Sequence, residues 1–75
     1  MMTDYEKEVL SELKRKLKRI RDSRDFVMGV VYNAGNVENW QRVIEFIDAN
    51  SPDVEETLAF AVLIDDMTEK PKLSK

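Results

Sequence analysis

Apolar and polar positions alternate along this chain with a helical period in some stretches and with no period in others. From Thr3 to about Asp22, Tyr5, Val9, Leu10, Leu13, Leu17 and Ile20 recur at spacings of three and four. At about 100° per residue they form one stripe, so an amphipathic helix is predicted. Thr3 or Asp4 can cap it, with Glu6 and Glu8 in the turn that favours negative charge and the cations crowded toward the opposite end. Leu10, Leu13, Leu17 and Ile20 also make a heptad-like seam, two heptads long and too short for a coiled coil.

The period fails from Phe26 to Tyr32, where every position except Gly29 is apolar or aromatic. A buried strand and a buried helix both produce such a run, and β-branched residues favour the strand. No second strand candidate exists to take its hydrogen bonds, and Asn33-Ala34-Gly35-Asn36 resembles a helix end with glycine past it. A helix over 25–34 is therefore predicted, with Ser23 as its cap. One bent helix from Thr3 to Ala34 is the alternative.

A third helix is predicted over 37–49, capped by Asn36. Val37, Trp40, Val43, Ile44, Phe46 and Ile47 cover about half its circumference. Asn50 suits its C-terminal end. Ser51-Pro52-Asp53 then restarts a fourth helix with cap, N1 proline and acidic first turn, running to about Met67. Within it Leu58 to Ile64 is apolar without a break, so these side chains point in every direction around a helix. The fold expected is all-α: a small bundle of three to four short helices over 1–67, with a flexible basic tail over 68–75.

Composition narrows the chemistry. With 75 residues, no His and no Cys, the chain is one domain at most. It lacks the commonest general base, the commonest metal ligand and any thiol. Serines have no histidine to activate them, and two glycines do not build a phosphate loop. Asp48 to Asp53 faintly resembles the start of a calcium loop, but Asp53 stands where glycine is needed and Ala59 where a bidentate Glu is needed. Asp65 and Asp66, one residue apart, diverge on a helix. No enzyme, cofactor, metal or small-molecule substrate is expected. A membrane-spanning helix needs about 20 apolar residues, and the longest run here is seven, Leu58 to Ile64. The densely charged first 22 residues do not read as a secretory signal, so a cytoplasmic location is expected.

Charge is uneven. Residues 1–24 hold eight cations and five acids, whereas 25–66 hold nine acids and the single cation Arg42. The stretch Lys14–Arg24 could meet a polyanion through Lys14, Arg15, Lys18, Arg19 and Arg21. Against this stand the packing seam of Leu17 and Ile20, the absence of aromatic residues among the cations for base stacking, and a net charge of −3. A helix-turn-helix built on segments two and three would carry one basic residue on its reading helix, too few to hold a groove of phosphates. The cations are better read as a solvated face, complementing the helix dipole or pairing with acids further along the chain.

Two helices that are apolar all round need cover all round, and a chain this short buries only about 60–65% of its unfolded surface. Each large apolar side chain left in water forfeits about 1.5–3 kcal/mol, a large fraction of a small domain's net stability. Association as a homodimer, or with a constitutive protein partner, is therefore expected through Phe26, Val30, Trp40, Phe46, Phe60 and Ile64. The function expected is a non-enzymatic helical interaction module, a regulator or assembly factor. The alternative is a dimeric nucleic-acid-binding regulator using the basic face of the first helix. A compact monomer, with Gly29, Ala59 and Ala61 permitting close packing, is the plainer outcome.

Overall fold

The computed structural model describes residues 2–69, which form four helices and no strand. They are α1 (Asp4–Ile20), α2 (Arg24–Ala34), α3 (Val37–Asn50) and α4 (Val54–Glu69). The all-α expectation holds, and the run from Phe26 to Tyr32 is helix, not strand. Residues 70–75, most of the expected basic tail, lie outside the described residues.

Local capping chemistry sets the boundaries. Thr3 and Glu6 make a reciprocal capping box: the Glu6 N–H donates to Thr3 Oγ1 at 3.1 Å, and the Thr3 N–H donates to Glu6 Oε1 at 2.9 Å. At the far end Arg21 is extended (φ −153°). This break rules out one continuous helix to Ala34. Ser23 Oγ then accepts from the Phe26 N–H at 3.3 Å to start α2. Gly35 closes α2 at φ 84°, a conformation that would strain any residue with a Cβ. Asn36 Oδ1 accepts from the Asn39 N–H at 3.0 Å and opens α3.

The third junction differs from the expectation by two residues. Ser51 is not the cap of the fourth helix; it closes α3 in the left-handed region (φ 48°), its N–H donating to the Ile47 carbonyl. Pro52 is buried ahead of the helix instead of at its first position. Asp53 is the cap: its Oδ1 accepts from the Glu56 N–H at 2.8 Å, and its own N–H donates to Glu56 Oε1 at 3.3 Å. Asn50 still serves the end of α3, donating from Nδ2 to the Phe46 carbonyl at 3.1 Å.

The four helices form a ring in which α1 packs on α3, α3 on α4, and α4 on α2, with thinner contacts joining α2 to α1 and, across the middle, to α3. Helices α1 and α3 run parallel: Val9 and Glu12 share one groove with Gln41 and Ile44, while Ile20 shares another with Ile47. Helices α3 and α4 run antiparallel, with Phe46 stacked on Phe60 and Asn50 beside Glu56. The core is shared by all four: Leu13 and Leu17 from α1, Val30 and Ala34 from α2, Val43 from α3 and Ala61 from α4 are fully enclosed. Thr57, also fully enclosed, donates its hydroxyl to the Asp53 carbonyl at 2.9 Å. Of Gly29, Ala59 and Ala61, the small residues expected to permit close packing, Ala61 alone is in the core; Ala59 is exposed, and a Cβ on Gly29 would meet nothing within 4 Å.

Candidate interaction surface

The basic half of α1 does not present one free face. Lys16 turns inward and is almost fully buried, its Nζ 2.7 Å from Asp48 Oδ1 on α3 and 3.6 Å from Glu12 Oε2. Arg15 pairs with Glu12, and Lys18 pairs with Asp22 at 3.2 Å. The hydrogen bond from Arg15, helped by the nearby charges of Arg15 and Lys16, holds the Glu12 carboxyl below its ordinary value of 4.5. Lys14, Arg19, Arg21 and Arg24 have no ion-pair partner among the described residues. They are also divided in space. Lys14, Lys18 and Arg24 converge on a groove of about 500 Å³ between α1 and α2, floored by Val27 and Met28. Arg19 lines a different groove, with Lys16, Asp48 and Ser51.

Of the six residues expected at an interface, three belong to the protomer's own core: Val30, Trp40 and Ile64 are buried. Trp40 is an internal anchor. Its indole N–H donates at 3.3 Å to the carbonyl of Val31, one of the last four carbonyls of α2 that a helix leaves without an internal donor. Phe26, Phe46 and Phe60 are partly buried and keep some surface. Phe46 and Phe60 stack with centroids 4.2 Å apart and planes within 8°. They line a groove of about 460 Å³ between α3 and α4 with Asn50, Glu56, Ala59 and Leu63.

Tyr5, at the start of the α1 stripe, is 55% exposed and lines a groove with α3; the other strongly exposed large apolar residues are ones the sequence pattern does not single out. Tyr32 is 84% exposed and Met28 50% on α2, one turn apart; Leu63 is 53% exposed and Met67 56% on α4, also one turn apart. Both pairs sit inside or just beyond runs where nearly every residue is apolar. In such a run the spacing of four is present, but no polar neighbour marks which side faces water.

Two edges of the ring each combine a groove with a pair of exposed apolar side chains one turn apart. One is the α1/α2 edge with its cations, Met28 and Tyr32. The other is the α3/α4 edge with Phe46, Phe60, Leu63 and Met67. Among the described residues no three His, Cys, Asp or Glu side chains are grouped so as to hold a metal ion, and no helix is long and apolar enough to cross a membrane. No protein-family profile, curated protein or solved structure matches the chain.

Proposed function

We propose that the chain is a non-enzymatic helical interaction module that self-associates, serving as a cytoplasmic regulator or assembly factor. The observation that supports this reading is the exposure of Met28, Tyr32, Leu63 and Met67 on a protomer whose core is otherwise closed. Complete burial of each would contribute up to about 1.5–3 kcal/mol. Clustered exposed side chains of this size mark interaction sites more often than isolated ones do. The absence of His and Cys leaves acid–base and thiol chemistry without its usual groups.

A nucleic-acid regulator is the less favoured reading. Arg15, Lys16 and Lys18 are engaged by Glu12, Asp48 and Asp22, and Arg19 lines a groove separate from that of Lys14. Few cations are left together to release counterions from a phosphate backbone.

Sedimentation equilibrium on the purified chain tests the proposal. The expected result is a mass above the 8.8 kDa protomer at micromolar concentration, falling on dilution. A strict monomer would remove self-association. A filter-binding titration on DNA and RNA at low salt should give no saturable binding; tight binding with a steep salt slope would favour the nucleic-acid reading instead.

A further inference from the structure

The ring order places the α1/α2 edge and the α3/α4 edge on opposite sides of the molecule, since α1 contacts α3 and α2 contacts α4. The two edges are alike in exposing apolar side chains and unlike in charge. Lys14, Lys18 and Arg24 line the first groove, against the single acid Asp22, which is already paired with Lys18. The second groove is lined by Glu56 and no cation, and α4 adds the exposed acids Glu55 and Asp66 beside it. Arg42, the only cation between 25 and 66, does not line it.

We propose that the occupant of each edge is the opposite edge of another copy, so that the chain associates head-to-tail: the basic α1/α2 edge, with Met28 and Tyr32, docks on the α3/α4 edge with Phe46, Phe60 and Leu63. This rests on the self-association proposed above and specifies its geometry. Charge decides between the alternatives. A two-fold contact of the α1/α2 edge on itself sets Lys14, Lys18 and Arg24 against their own copies, and one of the α3/α4 edge on itself sets Glu56 and its neighbours against theirs. Like charges brought together across an interface are strongly unfavourable. The head-to-tail contact joins opposite charges and covers both apolar sets with one interface. Because the two edges face away from each other, two copies cannot satisfy both. Such a contact extends to a ring of three or more copies or to an open chain.

Complementation between two variants tests this. Lys14→Glu/Arg24→Glu reverses the basic edge at exposed positions, and the second change puts an acid in the first turn of α2, where negative charge is favoured. Ala59→Lys/Leu63→Lys reverses the other edge, also at exposed helical positions. Each variant alone should be folded by circular dichroism and sediment as a monomer. An equimolar mixture should associate again and, like the wild type, pass two copies, because the native basic edge of one variant meets the native acidic edge of the other and the two reversed edges also match in charge. The wild type should pass twice 8.8 kDa as concentration rises and should dissociate as salt is added. If either variant fails to fold, those two wild-type measurements decide. A wild type that plateaus at two copies and ignores salt overturns the head-to-tail geometry but leaves self-association standing. So does a mixture of folded variants that forms no pair. A wild type monomeric throughout overturns both proposals.

Discussion

Lys16 Nζ lies 2.7 Å from Asp48 Oδ1, a contact between residues 32 apart in sequence that fastens the fourth turn of α1 to the end of α3. The lysine is nearly buried and the aspartate is half exposed, so the pair is less screened than a surface ion pair yet not desolvated on both sides. Removing the acid leaves Lys16 only Glu12, at 3.6 Å. Asp48→Ala should therefore destabilise by about 1 kcal/mol. Lys16→Met keeps the aliphatic stem in place and should cost less. A double-mutant cycle followed by urea unfolding should give a coupling of about 0.5–1 kcal/mol. Zero coupling would mean that the two side chains are held by their surroundings and not by each other.

Gly29 lies in the middle of α2, and a Cβ built on it would meet no atom within 4 Å. Glycine inside a helix costs about 0.5–1 kcal/mol relative to alanine because it has more backbone freedom to lose. Gly29→Ala should stabilise by that amount, raising the midpoint of thermal unfolding by about 2–8 °C for a domain of this size. A lowered midpoint would show that another copy or another element approaches α2 closely at this position.

The junction between α3 and α4 offers two candidate caps, Ser51 and Asp53, and only the second makes the bond. Asp53→Ala should cost about 1 kcal/mol, the usual worth of an N-cap. Ser51→Ala should change stability by less than about 0.5 kcal/mol, since the hydroxyl caps no helix there and alanine tolerates the left-handed conformation no better and no worse. Chemical denaturation of the two variants side by side checks this. Equal losses would return the cap to Ser51.

That junction also shows what could be read from the residues and what could not. Thr3, Ser23 and Asn36 were legible as caps because capping is settled within four residues, and each stands close before its helix. Ser51-Pro52-Asp53 holds two competing caps around a proline that fits either register, and the choice depends on burial of Pro52, which is not local. The stripe on α1 marked Leu13 and Leu17 as core. It did not reveal that Lys16, beside the stripe, would turn inward, because its partner Asp48 comes from another helix. The apolar runs of α2 and α4 announced that cover was needed but carried no phase. Val30, Trp40 and Ile64 thus went to the protomer's own core, while the exposed positions fell to Met28, Tyr32, Leu63 and Met67. The grooves were invisible for the same reason: they exist only once the ring order of the helices is known.

The paired Glu12 carboxylate predicts a small acid-side pH dependence. Its hydrogen bond from Arg15, together with the charges of Arg15 and Lys16, holds its pKa below the ordinary 4.5. A carboxyl with a lowered pKa in the folded chain binds its proton less readily there than when unfolded. Its contribution is therefore fully present above pH 4.5 and is lost as the pH falls through the lowered value. Because the group is solvent-exposed, the effect on overall stability should be slight, so the direct measurement is an NMR titration of the Glu12 side chain. In the wild type Glu12 should titrate below the ordinary glutamate value of 4.5. Arg15→Gln should move Glu12 upward toward that value, the shift being smaller at high salt than at low salt, where the charges act unscreened. A Glu12 titration indifferent to residue 15 would assign the shift to Lys16 and so to the Lys16–Asp48 contact between α1 and α3.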